Sequence, residues 1–236
     1  MLQVISFTIC PFVQRVTALL EAKQIPYQVK YISLKDKPEW FLELSPHGQV
    51  PVLVTEKGTA IFESEAIVEY IAELYPNESE ALSAEERAKE RAWGYLAAKH
   101  YLTQCSAQRS GDYDTLISRQ AKLNKAFSAI ERAKGDLPFF NSEEPGWVDV
   151  AWLPLLHRAG IIKQYSGYDF LKEFPKLRQW QQNLIASGLT NRSVADNFED
   201  KFTEFYLSKD TYLGNGCCDS SANSKLDTHC AKGNCC

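Results

Sequence analysis

Between residues 3 and 75, short apolar runs rich in β-branched residues alternate with stretches of helical period. Gln3 to Thr8, Tyr27 to Leu34, Val50 to Thr55 and Thr59 to Phe62 read as strands, and Arg15 to Ala22 and Ser64 to Tyr75 as helices. The order is βαβ followed by ββα. Glu56-Lys57-Gly58 joins the last two strands as a short hairpin connection. In the helix that follows, Ile67, Tyr70, Ile71 and Leu74 recur at spacings of three and four, which places them on one core-facing stripe. Pro76 stops it.

The pattern then changes. Residues 77 to 82 are polar and acidic and read as a linker, and Ser83-Ala84-Glu85-Glu86 has the capping-box spacing that starts a helix. Leu116, Leu123, Phe127 and Ile130 mark a long amphipathic helix, and Leu177, Trp180 and Leu184 a later one behind Pro175. No strand pattern of comparable strength follows residue 90. The chain therefore predicts a small α/β domain over 1–76 and an all-helical domain over 83–213. Residues 214–236 are too polar to bury a core, which predicts a disordered tail.

With 236 residues the chain is long enough to bury a core without disulfides or a structural metal. Its seven cysteines therefore need another explanation. Only Cys10 and Cys105 fall outside the last twenty residues, where Cys217, Cys218, Cys230, Cys235 and Cys236 crowd together. A disulfide scaffold would spread them through the body. A net charge of −4 with no basic block argues against nucleic acid and against an anionic membrane surface. The first residues carry no basic segment or cleavage site, and the longest apolar run, Val150 to Leu156, is too short to span a bilayer; a cytoplasmic protein is expected.

Cys10 carries the first chemistry. It follows the first strand, and Pro11 behind it is favoured in the first turn of a helix, so Cys10 is expected at a helix N-terminus. Backbone N–H groups and the helix dipole favour an anion there, which predicts a lowered thiol pKa and a reactive thiolate. Val13 stands three residues on, so no C-x-x-C partner exists locally. A mixed disulfide on Cys10 would need an external thiol.

Several motifs in order give a more specific indication. Cys10-Pro11-Phe12, Lys37-Pro38-Glu39-Trp40-Phe41, Ser45-Pro46-His47-Gly48-Gln49-Val50-Pro51 and Phe62-Glu63-Ser64-Glu65 together resemble the glutathione transferase superfamily, closest to its omega-type, cysteine-dependent members and similar to plant dehydroascorbate reductases. The resemblance covers residues 1 to about 210. It implies a thioredoxin-like N-terminal domain, an all-α C-terminal domain, and glutathione as co-substrate with no metal in the core. Cys10 would be the catalytic residue. Phe12, Lys37, Val50, Pro51, Glu63 and Ser64 would bind glutathione, with a cis Val50-Pro51 bond presenting backbone to the ligand. Ser64 would cap a helix and receive the γ-glutamyl carboxylate; Lys37 would face the glycine carboxylate. Thiol transfer or dehydroascorbate reduction is implied, with weak conjugation of chlorinated aromatics, in a detoxification role and a homodimer. The small partner is an electrophile or a disulfide.

The same fold also serves as a non-catalytic interaction module, and other members conjugate glutathione conventionally; binding to immobilised glutathione and reductase turnover discriminate these readings. Trp93, Tyr95, His100, Tyr101 and Trp152 are aromatic candidates for a second-substrate pocket, although aromatics on a helix more often form core. A cluster of Trp147, Trp152 and Leu155 is expected to hold the helical domain together, and Cys105 to pack. The chain departs from the family at Gly146, where a capping Ser or Thr usually precedes the Asp149 position. It departs further in the tail, whose five thiols and His229 suit a soft metal, a redox partner for Cys10, prenylation at the terminal Cys-Cys, or no role.

Overall fold

A computed structural model describes residues 1–76 and 82–215. Strands β1 (Leu2–Ser6) and β2 (Tyr27–Tyr31) flank helix α1 (Pro11–Ala22), and β3 (Val52–Val54) and β4 (Ala60–Phe62) precede α3 (Ser64–Leu74). The periodicity predicted each of these. The short helix α2 (Glu39–Leu44) lies where the hydrophobic pattern alone gave no element.

The sheet order is β2-β1-β3-β4, with β1 parallel to β2 and antiparallel to β3, and β3 antiparallel to β4. This is the thioredoxin-like arrangement. Val4, Leu53, Val16, Leu20, Ile67 and Ile71 pack between sheet, α1 and α3, while Ile5, Val52 and Phe41 fill the opposite face under α2.

The second half is helical: α4 (Ala84–Gln108), α5 (Tyr113–Ala133), α6 (Trp147–Ser166), α7 (Pro175–Ala186), α8 (Leu189–Arg192) and α9 (Phe198–Tyr206). The capping box at the start of α4 is complete. Ser83 Oγ accepts from the Glu86 N–H at 3.2 Å, and Glu86 Oε2 accepts from the Ser83 N–H at 2.8 Å. Helix α6 is buried along most of its length and packs on α1, α4 and α7. Tyr101 and Gln104 of α4 donate to the Ala151 and Leu155 carbonyls of α6, on either side of Pro154, whose ring supplies no N–H.

At Gly146 only half of a capping box exists, because glycine has no acceptor to offer the helix. The other half is strong. Asp149 Oδ2 accepts from the Gly146 N–H at 2.9 Å, and Oδ1 accepts from the Phe140 N–H at 2.9 Å and from Trp180 Nε1 at 2.6 Å. One buried carboxylate thereby ties α6 to α7 and to the preceding loop. Burial still dominates its charge and pushes its carboxyl up to about 6, against the pull of those donors.

Gly214 and Asn215, expected to begin the tail, close a 3-10 turn over Leu213–Asn215 instead. Gly214 lies against the carbonyls of Leu207 and Ser208 too closely to admit a Cβ, so only glycine fits. Residues 77–81 and the five tail cysteines lie outside the described residues. Among the described residues no helix is long and apolar enough to cross a membrane, and no group of acidic, His and Cys side chains forms a metal cluster.

Candidate active site

The sheet register brings the candidate residues to one end. Ser6 is opposite Tyr31 in the parallel pair, so the chain leaves β1 toward Cys10 at the edge where it leaves β2 toward Lys37. Ile5 is opposite Val52 and Val52 opposite Phe62, so Val50-Pro51, entering β3, and Glu63-Ser64, leaving β4, stand at that same edge. Residues 10, 37, 50, 51, 63 and 64 thus converge from four separate connections.

Cys10 is the N-cap of α1, and Pro11 occupies the first turn as expected. Its Sγ lies 3.9 Å from the Val50 carbonyl oxygen, across a Val50-Pro51 peptide that is cis. The backbone N–H groups of Val13 and Phe12 pull the thiol pKa down without making a cap hydrogen bond to the sulfur, and Arg158 on α6 adds a positive charge nearby. These are the donors a helix N-terminus supplies to an anion. They do not prevail: burial of the sulfur pushes the Cys10 thiol up to about 11, against the pull of Val13, Phe12 and Arg158. The expected low-pKa thiolate is therefore corrected to a resting thiol. The residue as a whole still keeps part of its surface open.

Ser64 differs from expectation by one position. Glu63, not Ser64, is the N-cap of α3, with φ 65°, a left-handed conformation that few non-glycine residues adopt. Ser64 is the first helical residue, is buried, and donates through Oγ to Glu65 Oε2 at 3.2 Å. Lys37 is exposed on the loop before α2, and its side chain lies over Gly48: a Cβ there would stand 3.4 Å from Lys37 Nζ and 3.2 Å from Leu42 Cδ2. Gly48 has φ 58° and opens the turn that delivers Val50 to the site. Phe12 packs edge-on against Tyr101 with ring centroids 5.1 Å apart, joining α1 to α4.

Residues 9–74 match the family profile described as "Glutathione S-transferase, N-terminal domain", and residues 85–182 match "Glutathione S-transferase, C-terminal domain". The chain belongs to the glutathione S-transferase family. It is 34% identical over 195 residues to pyrimidodiazepine synthase of Drosophila melanogaster, covering 78% of this chain and 76% of that protein. Rat (Rattus norvegicus) glutathione S-transferase omega-1 is 32% identical, with 79% of each chain covered. The rice (Oryza sativa subsp. japonica) protein named "Probable glutathione S-transferase DHAR1, cytosolic" is 28% identical, with 75% of this chain and 80% of that one covered. Among solved structures, glutathione transferase Omega 3C from Trametes versicolor superposes with a TM-score of 0.71 at 24% identity, covering 83% of this chain and 89% of that chain, which establishes the shared fold. Within that family its relatives of 30% identity or more include omega-1 proteins, so the chain is of omega-like type.

Of the aromatic candidates for a second pocket, Trp93 packs on Phe140 and lines a cavity with it and Trp147, away from Cys10's own turn, and the other four are engaged elsewhere. Tyr101 and Trp152 are wholly buried, and Trp152 packs with Phe127 and Trp180 and donates to the Trp93 carbonyl at 3.1 Å. Tyr95 donates to Glu69 Oε1 at 2.9 Å, beside a bidentate Arg91–Glu69 pair that joins α4 to α3. His100 Nδ1 bonds the Leu96 carbonyl within its own helix. Trp147 stacks toward Arg15 of α1 at 5.9 Å, so it binds the two halves together rather than serving the helical core alone.

A cavity of about 300 Å³ beside the Cys10 turn is lined instead by Phe7, Thr8 and Ile9 on one side and Lys201, Glu204 and Phe205 of α9 on the other. Sequence reasoning missed it because it missed α9. The signal was present: Phe198, Phe202 and Tyr206 recur every fourth residue and are all buried.

Proposed function

We propose that the chain is a glutathione-dependent thiol transferase and dehydroascorbate reductase, with Cys10 as the nucleophile. The observation that carries this reading is Cys10 at the N-terminus of α1, with the carbonyl oxygen of the cis Val50-Pro51 peptide 3.9 Å from its sulfur. The chain's similarity to proteins named omega-1 and DHAR1 supports it.

The Cys10 thiol first loses its proton to solvent, which the Phe12 and Val13 N–H groups assist by holding the resulting anion. The thiolate attacks the glutathionyl sulfur of a mixed disulfide, forming a Cys10–glutathione disulfide and expelling the other thiolate, which takes up a proton. A second glutathione, as thiolate, attacks that sulfur, releasing oxidised glutathione and regenerating Cys10. With dehydroascorbate, the thiolate adds to a carbonyl carbon. Attack of one glutathione on the adduct's sulfur releases ascorbate and a second glutathione resolves the disulfide, so two glutathiones supply the two electrons and two protons.

Glu63 and Ser64 are proposed to receive the γ-glutamyl end of glutathione, Val50 and Pro51 its cysteinyl backbone beside Phe12, and Lys37 its glycine carboxylate. The cavity between the β1–α1 turn and α9 is proposed to take the small electrophile or disulfide. A homodimer, a cytosolic location, a role in detoxification, and a division into domains over 1–76 and 83–213 belong to the same proposal.

Dehydroascorbate reduction, disulfide exchange and aromatic conjugation, assayed side by side with glutathione, test the reading. The first two are expected to dominate. Dominant conjugation would assign the chain to the conventional transferases, and no turnover together with no retention on immobilised glutathione would assign it to the interaction modules.

A further inference from the structure

The surroundings of Arg158 do not follow from glutathione binding. Arg158 is wholly buried on α6. A guanidinium keeps its proton in proteins, and a buried charge is costly unless a partner compensates it. Its hydrogen bonds all go to neutral acceptors: Nη1 to Gln14 Oε1 and to the Pro154 carbonyl at 3.1 Å, and Nη2 to the Ile9 carbonyl at 3.3 Å. Nε has no acceptor, and no carboxylate among the described residues pairs with it. The rings of Phe198 and Phe202, at 5.3 and 6.0 Å, close the side toward α9.

The titratable groups around this cation are Cys10 on the β1–α1 turn, Tyr101 and Cys105 on α4, His157 beside it on α6, and Tyr206 on α9. Burial raises both tyrosines, and Tyr101 is committed to the Ala151 carbonyl. Burial, aided by Arg158 itself, keeps His157 neutral. Two thiols, Cys105 and Cys10, are left facing the cation, and the bond from Arg158 to the Ile9 carbonyl ties it to the residue immediately before Cys10, the thiol at a helix N-terminus.

We infer that Arg158 is the built-in counter-ion for the Cys10 thiolate, and that Gln14 is the positioning residue that holds the guanidinium against the β1–α1 turn. The inference rests on Cys10 acting as nucleophile and assigns the buried residue that makes its anion attainable. Burial pushes the Cys10 thiol up, and the Arg158 charge is among the influences pulling it back down.

The test is the rate of alkylation of Cys10 by iodoacetamide between pH 7 and 9.5, read at the Cys10 peptide by mass spectrometry so that the other thiols do not contribute. Arg158→Met and Arg158→Gln, either of which suffices if the other does not fold, are expected to react on the order of tenfold more slowly than the unmodified chain at each pH, as for one unit of pKa. Arg158→Lys, which keeps the charge, is expected to restore most of the rate. A merely structural Arg158 predicts the opposite, because loosened packing exposes the sulfur and speeds alkylation. Rates in Arg158→Met or Arg158→Gln equal to or above the original would overturn the inference. The assay uses no glutathione, so its outcome is independent of whether the chain is a reductase.

Discussion

Gln14 Nε2 stands 2.9 Å from His157 Nδ1 while its own oxygen is occupied by Arg158. The amide is thereby oriented: its nitrogen donates, so His157 accepts at Nδ1 and carries its proton on Nε2. One side chain of α1 thus fixes both the cation behind Cys10 and the tautomer of a buried histidine.

His157 makes the fold sensitive to acid. Burial, with the Arg158 charge, lowers its pKa from 6.5 to about 3, so the folded chain binds this proton more weakly than the unfolded one. Its contribution is complete above about 6.5 and is lost as pH falls toward 3, at roughly 1.4 kcal/mol per pH unit. Urea midpoints at pH 7 and pH 4.5 are expected to differ less in His157→Gln than in the original chain. An identical drop in both would show that His157 is not the acid-sensitive group.

Asp149 works in the opposite sense. Its carboxyl is pushed up from 3.8 to about 6, so its contribution to stability falls as pH rises through that interval. The carboxylate nevertheless accepts from three N–H groups, and Asp149→Ala leaves those of Phe140, Gly146 and Trp180 without an acceptor. A loss of about 3 kcal/mol or more is expected by chemical denaturation, with a smaller loss in Asp149→Asn, which keeps one oxygen. Equal losses in the two variants would contradict the hydrogen-bond account.

Gly146→Ser is expected to stabilise the chain by a few tenths of a kcal/mol, supplying the missing cap acceptor for α6. There is room for the added atoms: a Cβ at Gly146 stands 3.6 Å from Asp149 Oδ2 and 4.0 Å from Ser142 Oγ, and φ is −108°. A lowered melting temperature would show that the turn tolerates glycine only.

The raised Cys10 pKa gives a kinetic signature. With the thiol pushed up to about 11, alkylation of Cys10 is expected to accelerate about tenfold per pH unit from 7 to 9.5 without levelling. A plateau near neutral pH would show that the helix N-terminus prevails over burial.

Local pattern carried most of the fold. β1, α1, α3, α5 and α7 each announce themselves by period or by a proline at the first turn, and Ser83 with Glu86 marks the start of α4 directly. Cys10 was legible because strand, proline and helix succeed one another in sequence, whereas Val50-Pro51 stood out only through the resemblance to the glutathione transferases. The left-handed Glu63 was not, since nothing in the residue type demands φ 65° and the N-cap therefore shifted by one. The thiol's raised pKa was also hidden. It depends on burial in the folded chain, and the charge that opposes it, on Arg158, lies on a helix 148 positions away in sequence. The pairing of Gln14 with Arg158 is invisible for the same reason: it exists only once α1 and α6 have packed.

The central claim, that Cys10 is the nucleophile of a glutathione-dependent reductase, is tested most directly by Cys10→Ser. Glutathione-dependent reduction of dehydroascorbate and of a glutathionyl mixed disulfide would be measured for both chains at equal concentration. A hydroxyl in place of the thiol cannot form the mixed disulfide, so turnover is expected to fall to the uncatalysed rate while the thermal melt stays within a few degrees of the original. Full reductase turnover in Cys10→Ser would contradict the account.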